Sequence, residues 1–489
     1  MTLRRHRPVL SRSVVSRSVV SRSVVSRSVL SRSVVSRSVV TVGAAFSLLL
    51  AAIGMSVAGD AGAASTTGVT KKQITIGATV PLTGPAAPGY SEIAPAMNAL
   101  FKWVNAHGGV YGRKIKYIYL NDKYDPTTTA TLTRKLVLTD HIFADVGSLG
   151  TPTNLAVQKY LNSEKVPHLF IESGCNCWST PKYPLTTGWE PPYTVTGKIL
   201  GYYVKSHFKG EKIGELFQDT EFGQDVMKGF NMEVPKSAVV SKQSYDVTTL
   251  SGALSSQMSA LKAAGAQVVV LATIPAATAL AMLPAFAIGF TPQYVVDNVG
   301  ADAPTVGPLL SSFTTAATHT KKIAAAATGL MNGMITDLYQ PPEGTSSNPW
   351  IKVEKQILKK YTRTLWATHG LDGNTEYGIA LAYTFVEALK AAGKNLTRTS
   401  LMKALDTKAK TFKTPGFVPL KYTKKVHFGY EGAEVVQFTT KAGTFATPAG
   451  TWPGTKVLSP VFVTTPGHGP VKVYHGKEPA VPKILRKEA

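Results

Sequence analysis

Gln73-Ile-Thr-Ile-Gly-Ala-Thr-Val80 decides how the chain is read. Its β-branched and apolar residues predict a strand that stops at Pro81-Leu-Thr-Gly84, and from Ser91 to Ala106 the apolar positions fall at helical spacing. The alternation then repeats. Strands are expected at Lys114–Leu120, Ile142–Val146 and His168–Ile171, with amphipathic helices at Thr127–Leu138 and Asn154–Asn162 between them. Such strands pair in parallel because each needs a helical crossover, and right-handed crossovers lead to an open doubly wound sheet.

A Pro- and aromatic-rich bridge, Trp178 to Tyr193, marks where the chain leaves this first array. A second one follows, with strands at Glu211–Phe217, Ala238–Tyr245, Gln267–Ala272 and Gln293–Val296 separated by helices at Gly223–Met232, Leu250–Ala264 and Ala276–Ile288. Two arrays of one kind predict an α/β protein of two similar doubly wound lobes. Ligands of such sheets sit beyond the carboxyl ends of the strands, which places the site in the cleft between the lobes. Pro341–Asn348 is turn chemistry, Ile351 to Ala392 reads as two long helices broken at His369-Gly-Leu-Asp-Gly373, and short β-like pieces follow Thr414. The division expected is 64–195 for the first part of lobe I, 196–340 for the main part of lobe II and 341–410 for helices returning to lobe I. Residues 411–445 supply lobe II and hinge strands, and 446–489, rich in Pro, Gly and Lys, read as a surface extension with little core of its own.

The 489 residues, 44% apolar and 17% charged, suffice for a large core and two or three domains. Lys and Arg number 53 against 29 Asp and Glu, a net charge of +24. Part of that excess lies at the N-terminus, where Arg4, Arg5 and Arg7 precede six Ser-Arg-Ser-Val-Val pentads (one ending in Leu30) from Ser11 to Val40. A period of five matches neither helix nor strand, so no face gathers the Val pairs away from the Arg. The apolar run Val42 to Val57 and the small-residue triplet Ala61-Gly62-Ala63 complete the three parts of a secretory signal, with cleavage expected after Ala63. A retained anchor helix is the other reading. Residues 1–63 hold nine Arg and one Asp, so the remainder carries 44 basic and 28 acidic residues, net +16, with no aromatic-interleaved Arg cluster of the kind that binds nucleic acid.

Cys175 and Cys177, the two cysteines, lie far from the expected cleavage site, so no lipid-anchoring cysteine follows it and a soluble secreted or periplasmic product is expected. Two thiols without His partners at ordered spacing do not close a zinc site, so no metal and no cofactor is expected. The pair is either a local disulfide or two free thiols.

Ile74-Thr-Ile-Gly-Ala-Thr-Val-Pro-Leu-Thr-Gly84 followed by Asn105-Ala-His-Gly-Gly-Val-Tyr-Gly-Arg-Lys114 resembles the opening of the periplasmic binding proteins of the leucine/isoleucine/valine type. Asp145-Val-Gly-Ser-Leu-Gly-Thr151, Val166-Pro-His-Leu-Phe170, Gln218-Asp-Thr-Glu-Phe-Gly-Gln224 and Glu376-Tyr-Gly-Ile-Ala-Leu-Ala-Tyr383 resemble later landmarks in the same order, over roughly residues 72–440. The resemblance implies two Rossmann-like doubly wound lobes of the type I fold, joined by a hinge, that close on a branched-chain amino acid or a related amide or carboxylate. An ABC permease with a separate ATPase would collect the cargo from a monomeric receptor. No Gly-x-x-x-x-Gly-Lys-[Ser/Thr] loop is present, so ATP hydrolysis is left to such partners.

Position matching within the resemblance puts Thr151 on the hydroxyl that grips a ligand carboxylate, at a helix start whose amides and dipole favour an anion. An ordinary helix start with Pro152 in the first turn reads the same residues without a ligand. Gly174, Cys175 and Asn176 match a ligand-contacting loop, or form a turn stapled by a disulfide. Phe222 stands where relatives often carry Tyr, a departure that removes one donor. Asp297 and Asn298 match the loop whose acid pairs a substrate ammonium, with Asp219 a neighbouring candidate and a turn-forming Asp the alternative. Tyr90 either stacks on the ligand or packs at a helix start. A secreted hydrolase is the enzymatic rival, with Glu172 and Asp219 as its carboxylate pair, but no Gly-x-Ser-x-Gly or His-Glu-x-x-His motif supports it. A ligand-sensing receptor of the same fold is the third reading.

Overall fold

The computed structural model describes residues 66–250, 252, 254–318, 329–466 and 469–487. The pentads, the apolar run and the cleavage site expected within residues 1–63 lie outside the described residues.

The first sheet contains β1 (Gln73–Val80), β2 (Lys114–Asn121), β3 (Ala144–Val146), β4 (His168–Ile171) and β5 (Thr186–Gly188), in the order β2-β1-β3-β4-β5. Every pair is parallel, with Gln73 opposite Lys114 and Val80 opposite Asn121 at the two ends of the β1–β2 ladder. All of β1 after Gln73 is buried, as expected for a central parallel strand covered by helices on both faces.

The second sheet begins with β6 (Ile213–Gln218), β7 (Val239–Tyr245), β8 (Val268–Ala272), β9 (Gln293–Val296) and β10 (Ile335–Leu338), whose parallel order β7-β6-β8-β9-β10 repeats that of the first. Beyond β10 the sheet turns antiparallel. β11 (Gly432–Thr447) pairs with β10 and with β12 (Gly450–Val457), and β13 (Phe462–Val463) and β14 (Lys472–Val473) close that edge. A mixed α/β protein with two doubly wound sheets is thus what the chain forms.

All eight expected strands are present, and the sequence reading missed two more. β5 is a three-residue strand inside the bridge Trp178–Tyr193, followed at once by the helix Tyr193–His207. β10 carries the buried Asp337, which breaks the apolar run that would have betrayed a strand. The region expected as two long helices holds three, Pro349–Tyr361, Arg363–Thr368 and Gly373–Ala392, because an extra stop falls at Thr362. The expected break precedes the last of them, where Asp372 and Thr375 form a capping box. The extension expected at 446–489 needs a larger correction. Trp452, Val481 and Leu485 are buried in the main core, and Trp350 donates from its indole to the Pro479 carbonyl at 2.7 Å. Pro and Gly dilute the apolar residues here until no periodicity shows, yet a hairpin needs only alternate positions to be apolar.

One hydrophobic core runs through both sheets, with a satellite of Leu136, Ile142, Val157, Leu161 and Val166 under the helices Pro126–Leu138 and Thr151–Ser163. The chain passes between the sheets three times. The passages touch: Gly188 N–H donates to His427 O at 3.0 Å, Phe417 N–H to Tyr339 O at 2.9 Å, and Tyr430 N–H to Trp189 O at 3.3 Å. Trp189 stacks edge-on with Tyr377, Tyr430 and Tyr339 at centroid distances of 4.8, 5.3 and 6.1 Å, an aromatic floor beneath the cleft.

Candidate ligand-binding cleft

The carboxyl ends of the parallel strands face a common cavity of about 130 Å³. Tyr90, Leu149, Thr151 and Glu172 reach it from loops that follow β1, β3 and β4. Phe222, Ile274, Asn298 and Val299 reach it from the corresponding loops after β6, β8 and β9. The passages between the sheets and the helix Gly373–Ala392 supply the rest.

Five of the residues singled out in the sequence line this cavity: Glu172, from the hydrolase reading, and the four ligand-binding candidates Tyr90, Phe222, Asn298 and Thr151. Tyr90 spans it, its hydroxyl donating to the Val299 carbonyl at 2.8 Å. Phe222 opens the helix Glu221–Phe230 beside the Tyr193 ring, with centroids 4.7 Å apart. Asn298 is held by Asp337, which accepts from its backbone amide at 3.1 Å and from its side-chain amide at 2.8 Å. Thr151 begins the helix Thr151–Ser163, and its hydroxyl is paired with that of Ser173 at 2.7 Å. The preceding Gly150 has a φ of 102°, and a Cβ there would meet the Tyr124 ring at 2.5 Å. Tyr124 therefore packs over the helix start, where the Thr151 amide stabilises its hydroxyl oxygen.

The remaining expected residues sit elsewhere. Asp297 is buried behind the cavity, accepting from Thr196 Oγ1 at 2.7 Å and from the Val299 amide at 3.3 Å, and desolvation pushes its carboxyl up to about 6. Asp219 is exposed and accepts from Gln224 at 3.3 Å, away from Glu172 and the cavity. Gly174 accepts the Tyr193 amide at 2.7 Å, and Cys175 and Cys177 are joined in a disulfide. Asn176 donates its amide to Asp225 Oδ2 at 3.0 Å and accepts from Thr194 Oγ1 at 3.0 Å. The loop thus fastens the first lobe to the helix that carries Phe222.

Sequence reasoning missed the chemistry that dominates the wall. Glu172, Glu190, Asp302, Glu343 and Glu376 all line the cavity, and among the described residues no Lys, Arg or His does, although Lys355 acts on Glu343 from outside the wall. Asp302 is spoken for: its carboxylate accepts from the Gly373 amide at 3.0 Å and from the Thr305 amide at 2.9 Å. Neither oxygen of Glu172 has a hydrogen-bond partner among the described residues, nor has Oε1 of Glu376, although the two side chains are 6% and 1% exposed. Burial drives every one of these carboxyls upward, Glu190 and Glu343 to about 8 and Glu172 and Glu376 well above their ordinary value. Neighbouring acids add to the effect, Glu190 on Glu172, Asp297 on Glu190, and Glu354 and Glu343 on Glu376. Glu376 stood at the head of a motif read as a landmark, and Glu190 before Pro191-Pro192 in the bridge, so both were visible as residues but not as a set.

A separate acidic group, Glu92, His369 and Asp372, brings three donor atoms within 4.8 Å of one another. His369 Nδ1 lies 2.8 Å from Glu92 Oε1, and Asp372 caps the helix Gly373–Ala392, so its members largely serve one another.

A family model described as "Periplasmic binding protein" matches residues 73–444, most of the chain. The chain belongs to the periplasmic binding protein family. Curated relatives include a Leu/Ile/Val-binding protein homolog 1 of Brucella abortus, 26% identical over 156 residues, 31% of this chain and 40% of the relative. A Leu/Ile/Val-binding protein homolog 3 of Brucella melitensis is 24% identical over 202 residues, 40% of this chain and 53% of the relative. The chain thus spans about half the length of the curated relatives it matches. Among solved structures, a fatty acid ABC transporter substrate-binding protein from Thermomonospora curvata has a TM-score of 0.66 at 21% identity, covering 80% of this chain and 94% of that one. A branched chain amino acid ABC transporter protein from Thermus thermophilus with bound valine has a TM-score of 0.64 at 18% identity, covering 80% and 97%. These likenesses establish the type I fold of the family, a fold of ligand-binding proteins. No helix among the described residues is long and apolar enough to cross a membrane.

Proposed function

We propose that this member of the family is an extracytoplasmic solute-binding protein that captures a small polar molecule by lobe closure and delivers it to an ABC permease with a separate ATPase. The observation that carries the reading is a cavity walled by loops from both sheets and bridged by the Tyr90–Val299 hydrogen bond. Buried walls on both sides favour a ligand enclosed by hinge motion over one held on an open surface. The names of the relatives bring branched-chain amino acids and related amides or carboxylates as the first cargo classes to test. Membership of a family of ligand-binding proteins supports binding over turnover.

A thermal-shift screen of the full chain against amino acids, small amides, amines and aromatic acids tests this. A ligand at a hundredfold its dissociation constant adds about 2.7 kcal/mol of stability. A selective rise in melting temperature, with the ligand recovered chemically unchanged, supports a receptor. Conversion of the ligand to a product overturns it in favour of an enzyme.

A further inference from the structure

We propose that the cleft binds a small aliphatic diamine, with one ammonium at the Glu172–Glu190 end and the other at the Glu343–Glu376 end. The inference rests on the solute-binding reading and narrows it to a dication without a carboxylate.

The first ground is the wall itself. It carries five carboxyl groups and no basic side chain, in a chain whose overall charge is strongly positive. Buried acids are ordinarily paired, because an ionised carboxylate removed from water and left without a partner is costly. Here Glu172 has both oxygens buried and unpartnered among the described residues, and Glu376 has one. An incoming ammonium supplies the missing donors as charge-assisted hydrogen bonds.

The second ground is the arrangement. Glu190 sits beside Glu172, because the Gly174 amide, two residues on, stabilises its carboxyl. Glu376 lies one turn into the helix whose Gly373 amide binds Asp302, and its acidic neighbours are Glu354, Glu343, Glu478 and Asp302. The acids therefore fall into two groups by their neighbours, Glu172 with Glu190 and Glu376 with Glu343, each holding one carboxyl with unpartnered oxygen among the described residues. Tyr193, Phe222, Tyr339 and Tyr377 line the same cavity, and aromatic rings suit methylenes and a neighbouring cation. The cavity of about 130 Å³ has room for a small ligand. The carboxyls do not converge as metal ligands do: among the described residues the donor cluster of that kind is Glu92, His369 and Asp372, outside the wall.

The third ground is what an α-amino acid would meet. Its carboxylate would face the same acids, and the Thr151 hydroxyl that the resemblance assigns to it is already engaged within the wall. Thr151 Oγ1 is paired with Ser173, and Tyr124 covers the helix start. Asp297, the expected ammonium partner, lies behind the wall.

Calorimetry on the full chain with 1,4-diaminobutane, n-butylamine, L-leucine and propionamide tests the inference. The diamine is expected to bind at least tenfold more tightly than n-butylamine, which has a single ammonium, and than L-leucine. Glu172→Gln and Glu376→Gln, which keep the shape of a protonated acid, are each expected to weaken diamine binding tenfold or more without lowering the melting temperature of the free protein. Absence of diamine binding, equal affinity for n-butylamine, or unchanged affinity in both variants overturns the inference. If L-leucine or propionamide then binds, the solute-binding reading survives alone; if the diamine fails and no member of the wider panel binds either, both fall.

Discussion

The Tyr90 hydroxyl donates to the Val299 carbonyl at 2.8 Å, tying the loop after β1 to the loop after β9 across the cleft. Asp302 and Thr305 reinforce the tie from the second lobe, accepting from the Gly373 amide at 3.0 Å and from the Asn374 side chain at 3.0 Å. Under the proposed function these bonds are among those that would break when the cleft opens to a ligand.

Tyr90→Phe removes one of these bonds while keeping the ring that lines the cavity. The net worth of such a bond is about 1 kcal/mol, so the variant is expected to bind its ligand roughly three- to tenfold more weakly. Small-angle scattering should show a larger radius of gyration for the free variant than for the free wild type, with the two equal once ligand is saturating. Unchanged scattering and affinity would remove the bond from the closing equilibrium.

The pH dependence of stability follows from the acidic wall. Glu190, Glu343 and Glu354 each have carboxyls pushed up to about 8 by burial. Beside Glu190 stand Asp297, which raises it further, and the hydroxyls of Tyr377 and Tyr193, which lower it. A folded-state value above the unfolded one means the folded protein holds protons that the unfolded chain releases, so this contribution is present at low pH and lost as pH rises through about 8. His168, buried and depressed to about 3, works in the opposite sense, but only below its unfolded value of about 6.5. The free protein is therefore expected to melt at a higher temperature at pH 6.5 than at pH 8. A diamine reverses the order of its own effect, since ionised acids bind it better, and its thermal shift should be larger at pH 8. A free protein that gains stability from pH 6.5 to 8 would contradict the acidic wall.

The C-terminal hairpin is a third point of test. Trp452 on β12 is 4% exposed, packs against Gly307 and donates from its indole to Thr447 Oγ1 at 3.0 Å. Trp452→Ala leaves a cavity in the main core and is expected to cost about 3–5 kcal/mol, read as a lower midpoint in urea with an unchanged slope. A surface extension would tolerate the change within about 0.5 kcal/mol.

The alternation of strands and helices was legible because parallel strands buried on both faces spell uninterrupted apolar runs, as in Val268–Ala272, and because turn residues punctuate them. β5 and β10 escaped for lack of such runs, one being three residues long and the other holding Asp337. Of the candidates just beyond predicted strands, Tyr90, Thr151, Phe222 and Asn298 line the cavity, whereas Gly174, Asp219 and Asp297 do not. The acidic wall was not legible, because Glu172, Glu190, Glu343 and Glu376 come from four segments that only the passages between the sheets bring together. No local pattern records that a carboxyl is buried, and burial is what makes these four unusual.

Thr151 separates the amino-acid reading of the site from the diamine reading, and the two predict different losses. If Thr151 gripped a ligand carboxylate, Thr151→Ala would weaken binding tenfold or more and leave the free protein's stability nearly intact. In the structure its hydroxyl instead pairs with Ser173 at 2.7 Å, and Ser173 in turn accepts the Cys175 amide at 3.3 Å, anchoring the disulfide loop. Removing it leaves a buried hydroxyl short of a partner, so Thr151→Ala is expected to lower stability by about 1 kcal/mol or more. Affinity for 1,4-diaminobutane should change less than threefold, since the bond removed is internal to the wall. Urea denaturation and calorimetry on the same preparation decide the matter. A tenfold loss of affinity at unchanged stability would return Thr151 to the role of a carboxylate donor and with it restore an amino acid as the cargo.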